Sequence, residues 1–144
     1  MVAARTLVVL ALLAATGGLL WALADDGATG PAGASRHSVT VSGPGDEMWF
    51  NGTIDLANGT ALDALLAVAA DQAWSVDTEA YAFGDCGTYV VAVRGERAHG
   101  SQGWIFEVWD ADDQAWQWAT RGASCWYLEP EQAVRWRWSE APGS

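Results

Sequence analysis

Lysine is absent from this chain of 144 residues, and cysteine and histidine occur only twice each. Seven arginines stand against 18 acidic residues, which gives a formal net charge of −11. This balance excludes a nucleic-acid-binding domain, because a phosphate backbone requires a basic footprint. A GC-rich genome explains the missing lysine but not the excess of acid. We therefore expect a halophilic protein whose folded state is stabilised when salt screens its self-repulsion.

The patterns of catalytic and metal sites are missing as well. No serine lies in a nucleophile elbow, and the carboxylates show no readable pairing. His37 and His99 stand without the spacing of metal ligands. The acidic turn at residues 110–113 lacks the glycine and the closing glutamate of a calcium loop. We expect a protein that is not an enzyme and that holds no metal and no catalytic cofactor.

An uncharged run covers residues 6–24, with Arg5 before it and two aspartates after it. A positive flank followed by an apolar stretch places the rest of the chain outside the cell. The run is nearly as long as the roughly 20 residues that span a bilayer. It also ends in a plausible signal-peptidase site at Ala24. Two interpretations stay open, a signal anchor in the cell membrane and a signal peptide cleaved near Ala24 to give a secreted protein.

The chain thus divides into four parts. Residues 1–24 are the signal anchor or signal peptide, and residues 25–36 form a flexible linker rich in glycine and alanine. Residues 37–139 form one folded domain, and residues 140–144 are a tail.

A disulfide is expected outside the cell, and two asparagines are candidates for glycosylation. Cys86 and Cys125 are the only cysteines, and a disulfide between them is the simplest arrangement, with two buried thiols as the alternative. Asn51 and Asn58 each begin an acceptor sequence for glycosylation.

Patterning of the folded part predicts an α+β domain. Thr60 caps a helix that carries an apolar stripe of Leu62, Leu65, Leu66 and Ala69. The other predicted elements are strands, since their apolar residues alternate. The predicted strands cover residues 38–42, 47–55, 74–83, 88–94, 103–109, 115–119 and 134–138.

Four phrases carry a family resemblance: TALDALLAVAADQ (Thr60–Gln72), TYVVAV (Thr88–Val93), GWIFEVW (Gly103–Trp109) and VRWRW (Val134–Trp138). Together they resemble the ligand-capping C-terminal domain of transcobalamin and intrinsic factor, which also occurs in small surface proteins. The resemblance implies a β-grasp-like fold, with one helix packed on a mixed, mainly antiparallel sheet. It also implies a corrinoid such as cobalamin as the ligand. Family members often have Asn-Gly where this chain has Trp109-Asp110.

Tryptophan is abundant, with ten residues in the chain. Strand alternation predicts that Trp104 faces the helix, whereas Trp49 and Trp109 face away from it. Exposed indoles on one sheet face would form a larger apolar patch than soluble monomers usually carry. Either that face binds a ligand or a partner, or residues 119–131 cover it. The candidate binding residues are Trp49, Trp109, Trp116, Trp118 and Trp126.

Two hypotheses on function follow from these features. The first is a membrane-tethered module outside the cell that docks on a surface protein or a glycan, because exposed tryptophan is typical of interface cores. The alternative is a surface domain that binds a small ligand, with a corrinoid as the ligand that the resemblance implies.

Overall fold

The computed structural model describes residues 33–80 and 87–140, which belong to one compact unit beginning at Gly33. One α-helix on a mainly β core confirms the predicted α+β class for these residues. No helix among them is long and apolar enough to cross a membrane. The predicted segment at residues 6–24, Cys86 and most of the predicted tail lie outside the described residues. The elements are β1 (Ser35–Ser42), β2 (Met48–Leu56), α1 (Ala61–Gln72), β3 (Val76–Ala80), β4 (Thr88–Val93), β5 (Glu96–Arg97), β6 (Gln102–Asp110), β7 (Ala115–Trp118) and β8 (Val134–Glu140).

The strands form two sheets. A five-stranded sheet has the order β2-β1-β8-β6-β7, and a three-stranded sheet has the order β3-β4-β5. Strands β1 and β8 are parallel, whereas the other paired strands are antiparallel. The five-stranded sheet is mixed and mainly antiparallel, as predicted, but the second sheet departs from the prediction of a single sheet.

Strand β1 begins at Ser35, inside the segment predicted as linker. Arg36 lies opposite Asp55 on β2 and forms an ion pair with it, at 3.2 Å. His37 is buried, and its Nδ1 lies 2.9 Å from the carbonyl oxygen of Gln132. These tertiary contacts extend the strand over Ser-Arg-His, a polar sequence that carries no alternation signal.

Helix α1 begins at a capping box, as predicted. The Thr60 hydroxyl accepts the N–H of Asp63, and the Asp63 carboxylate accepts the N–H of Thr60. The two bonds satisfy backbone donors that the first helical turn leaves free.

The buried face of α1 differs from the predicted stripe. Leu66 is 41% exposed, and the buried side chains are Ala61, Ala64, Leu65, Val68 and Ala69. Nearly every position of this helix is apolar, so the period alone does not fix its orientation. Three alanines on the buried face let the helix approach the sheet closely.

We expect Thr60→Ala to lower the free energy of unfolding by about 1 kcal/mol, because it removes the cap of α1. Chemical denaturation measures this loss. Thr60→Ser is the control, since it keeps the hydroxyl and should stay close to wild type. Equal losses in both variants would contradict a role for the cap.

The core lies between α1 and one face of the five-stranded sheet. Trp104, Phe106 and Val108 of β6 are buried there, as predicted from alternation. Trp136 is 1% exposed, and its Nε1–H donates to the carbonyl oxygen of Ala61 at 3.1 Å. This bond ties β8 to the first turn of α1.

Candidate functional site

The five-stranded sheet has a second face, on the side away from α1, which we call the outer face. Phe106 pairs with Trp136 in the core, so the neighbouring pairs Glu107–Arg135 and Ile105–Arg137 point to the opposite side. The same rule places further residues of the described strands on the outer face. They include Trp109, Trp116 and Trp118 near β7, and Ser38, Thr40 and Ser42 on β1.

Three tryptophans form the aromatic end of the outer face. Trp109 and Trp118 are 36% and 37% exposed, whereas Trp116 is half-buried. The rings of Trp109 and Trp116 meet edge to face, with centroids 5.5 Å apart. These are three of the five predicted candidate residues. Trp109 lies on the side of the sheet that alternation predicts.

A charged group forms the centre of the outer face. Oε2 of Glu107 accepts hydrogen bonds from Nε of Arg135 at 2.5 Å and from Nε of Arg137 at 3.0 Å. Arg135 also lies over the Trp116 ring, 4.4 Å from its centroid, which is a cation–π contact. Glu107 is only 6% exposed, so its charge depends on these two arginines.

The pKa of Glu107 reflects two opposing effects. Burial raises it, because the charged form loses its hydration. The hydrogen bonds and the attraction of Arg135 and Arg137 outweigh burial and hold the pKa below the ordinary value of 4.5. Because the folded-state pKa is depressed, this group stabilises the fold above the unfolded pKa, and the stabilisation is lost as pH falls through the folded pKa.

We expect Glu107→Gln to lower the free energy of unfolding at pH 7 by about 1–3 kcal/mol, because hydrogen bonds to a charged, buried acceptor are lost. The difference from wild type should shrink as the pH falls through the depressed folded-state pKa of Glu107, because the wild-type carboxylate is then protonated too. Denaturation at neutral and acidic pH measures both effects. Glu129→Gln, at an exposed loop position, is the control. A difference that does not depend on pH would contradict this account.

Trp49 does not lie on the outer face, so the prediction that it faces away from the helix is wrong. Its ring contacts Trp104 at 5.4 Å and Trp74 at 6.2 Å on the core side. The guanidinium of Arg94 lies 4.5 Å from the centroid of the Trp49 ring. The reason is a β-bulge: Val41 pairs with Phe50 but Ser42 pairs with Met48, which leaves Trp49 as the extra residue.

Cover of the outer face by residues 119–131 was one of two alternatives from the sequence, and the described contacts place this segment elsewhere. Trp126 packs on Phe106 of the core, with ring centroids 6.1 Å apart. Its carbonyl oxygen accepts the N–H of Ala61, and the N–H of Leu128 donates to Gly59. The segment therefore packs at the start of α1, on the core side of the sheet.

Two clefts adjoin the outer face. The first has a volume of about 310 Å³ and lies beside the first half of β6, where β7 does not pair. Its lining includes Tyr89, Trp104, Trp118 and Arg121. The second has a volume of about 570 Å³ and is lined by acidic residues together with Trp109 and Trp126. Trp109 and Trp118 thus each line a cleft as well as the outer face.

The other sites considered in the sequence are the glycosylation candidates, the cysteine pair and the acidic turn. Asn51 and Asn58 are exposed, and their glycosylation stays a prediction. Cys125 ends a short 3-10 turn, Ala123–Cys125, and its pairing with Cys86 stays a prediction. Asp110 Oδ1 accepts the N–H groups of Asp112 and Asp113, which makes this segment a capped turn. The described residues contain no cluster of three or more side chains that could hold a metal ion.

Sequence patterning missed the central group of Glu107, Arg135 and Arg137. The alternation of arginine and tryptophan in β8 is typical of a strand with its tryptophans inward and its arginines outward, and Trp136 does point inward. It does not predict that both arginines meet one carboxylate. The available signal was Glu107, the one acid among the outward positions of β6. To predict its arginine partners from this signal, one needs the register of β6 and β8, which only the structure supplies.

Comparison with solved structures shows a shared fold. Haptocorrin, determined in complex with Cbi, superposes with a TM-score of 0.58 at 17% identity, over 74% of this chain and 26% of haptocorrin. A protein from Ruminococcus gnavus that is named as a candidate metal-binding protein superposes with a TM-score of 0.54 at 16% identity, over 74% of this chain and 98% of that chain. No protein-family model and no curated protein matches this chain. The resemblance to the transcobalamin type is thereby supported as a likeness of fold.

Proposed function

We propose that this protein is a non-enzymatic domain that binds a small amphipathic ligand of the corrinoid class at the aromatic end of its outer face. The observation that carries the proposal is the exposure of Trp109 and Trp118 on a sheet face where no described helix lies. The likeness to haptocorrin, a protein determined with bound Cbi, supports this class of ligand and a β-grasp-like description of the fold.

The geometry suits a large ring better than a small enclosed molecule. A broad macrocycle can bury its apolar face on the exposed parts of Trp109 and Trp118, and aromatic side chains supply large contact areas at low entropic cost. The first cleft, about 310 Å³ beside Trp118, is too small to enclose such a ring but can receive one of its substituents.

The expected affinity is low for the domain alone. This chain corresponds to about a quarter of haptocorrin, 26% of its length. The resemblance to the transcobalamin type implies a capping domain that forms one half of a clamp. A ligand that is contacted on one side buries less of its surface than an enclosed ligand does. Tight binding would therefore require a second protein as the other half of the clamp.

Equilibrium dialysis of the full chain with cobalamin tests the proposal, because the absorbance of the ligand interferes with tryptophan fluorescence but not with dialysis. We expect saturable binding that Trp109→Ala weakens about tenfold, through loss of aromatic contact area. Tyr127→Ala is the matched control, since Tyr127 is 70% exposed and does not belong to the outer face. No binding at millimolar cobalamin, or equal loss in the two variants, would overturn the proposal.

A second candidate function is a docking module that is tethered through residues 6–24 and acts outside the cell on a surface protein or a glycan. The polar and charged part of the outer face favours it, because interfaces combine aromatic residues and arginine. Retention of the chain on isolated cell envelopes measures this function. We expect Trp118→Ala to reduce retention, whereas unchanged retention would exclude the outer face as the docking surface.

A further inference from the structure

We propose that the centre of the outer face recognises the carboxylates of an acidic polysaccharide, through Arg135 and Arg137. This inference rests on the docking function and names its partner class. It differs from corrinoid binding in its use of the two arginines, although both ligands would contact Trp109 and Trp118 of the aromatic end. Charge, donor geometry and the flanking side chains each support it.

The charge argument begins with an imbalance at the centre of the outer face. Two arginines share one carboxylate there, Glu107, so this group carries one net positive charge. Two other arginines, Arg36 and Arg97, each have an acid of their own, Asp55 and Asp77. In a chain with a net charge of −11, a local excess of positive charge is a specific place for an anion.

The donor geometry leaves room for that anion. Glu107 binds the Nε atoms of Arg135 and Arg137, so it does not occupy the terminal pairs of guanidinium nitrogens. Among the described residues, Ser139 contacts Nη1 of Arg137 at 3.4 Å, and no acceptor contacts a terminal nitrogen of Arg135. Both side chains are about one-third exposed. A guanidinium with free terminal nitrogens can hold a second carboxylate in a bidentate fashion.

Glu107 also holds the two arginines in place before any ligand arrives. It is buried beneath them, and Arg135 is stacked on Trp116 at 4.4 Å. A donor that is already fixed loses less side-chain entropy on binding than a free surface arginine does.

The flanking residues favour a sugar over other anions. Exposed indoles of Trp109 and Trp118 lie on one side of the arginines, and these can pack on the apolar face of a sugar ring. Thr40 and Ser42 of β1 lie opposite Arg135 and Arg137 on the other side, and their hydroxyls match those of a sugar.

The shape of the surface favours a chain of sugars over a single one. From β7 across β6 and β8 to β1 there are three strand spacings, which is about 14 Å. A surface of that width suits a polymer lying across the strands, whereas a lone small molecule normally needs a concave site.

Binding of trigalacturonate to the full chain, compared with its methyl ester, tests the inference. The two probes share the same rings and differ at their carboxyl groups, which are charged in the acid but neutral and methylated in the ester. The titration is done at a salt concentration at which circular dichroism shows that the chain is folded. We expect trigalacturonate to bind saturably and the ester to bind at least about tenfold more weakly, because hydrogen bonds to a charged group are lost. Calorimetric titration measures both affinities.

Arg137→Gln should weaken the binding of trigalacturonate about tenfold and leave cobalamin binding unchanged. Arg36→Gln is the matched control, because Arg36 lies on the outer face but is paired with Asp55. No saturable binding of trigalacturonate, equal affinity for acid and ester, or equal losses in the two variants would overturn the inference. If Arg137→Gln does not fold, the comparison of acid and ester on the native chain decides alone. Retention on cell envelopes without trigalacturonate binding would overturn this partner class but not the docking function.

Discussion

Replacing Trp136 with alanine is expected to lower the free energy of unfolding by about 4 kcal/mol, the cost typical of truncating a large buried aromatic side chain. Trp136 is 1% exposed and packs on Phe106 with ring centroids 5.0 Å apart. The substitution also leaves the carbonyl oxygen of Ala61 without the indole donor that now lies 3.1 Å away. The cavity and the lost hydrogen bond both destabilise the same contact, where β8 packs on the start of α1.

Chemical denaturation of two further variants separates these causes. Trp136→Phe keeps most of the apolar volume but removes the donor, so its loss should fall well below that of alanine. Trp118→Ala, at an exposed position of β7, should cost less than about 1 kcal/mol. Similar losses for Trp136→Ala and Trp118→Ala would contradict the assignment of core and outer face.

Reduction of the chain is expected to destabilise it by about 4 kcal/mol, because the predicted disulfide closes a loop of about 40 residues in the unfolded chain. Cys125 is followed by Trp126, whose carbonyl oxygen binds the N–H of Ala61. A crosslink at Cys125 would therefore restrain the segment that packs against the start of α1.

Denaturation with and without a reductant measures this effect. The double variant Cys86→Ser, Cys125→Ser serves as the control and should not respond to the reductant. Two free thiols titrated in the denatured, unreduced protein would contradict the disulfide.

Local signals were sufficient for α1 and for β6. The Thr60 and Asp63 pair marked the start of α1, because a capping box depends on residues three apart. Alternation marked β6 and its buried side, because Trp104, Phe106 and Val108 form an unbroken apolar set on one face of the middle of that strand. Those elements needed no knowledge of their neighbours.

The binding surface could not be predicted in the same way. Trp49 lies on the opposite face from the predicted one, because a β-bulge opposite β1 adds one residue to β2. The sequence of β2 alone does not show this bulge. Glu107 lies about 30 residues before Arg135 and Arg137 in the sequence. The three side chains meet only through the register of β6 and β8. Features that depend on the pairing of distant strands appear only in the structure.

The central claim is that the outer face is open to solvent and serves as the binding surface. Hydroxyl-radical footprinting of the full chain, read by mass spectrometry at single tryptophans, tests it most directly. We predict fast oxidation of Trp109 and Trp118, slow oxidation of Trp104 and Trp136, and protection of the first pair when ligand is bound. Oxidation of Trp109 and Trp118 as slow as that of Trp136 in the free protein would contradict the claim, because the face would then be covered by the chain itself or by a second copy.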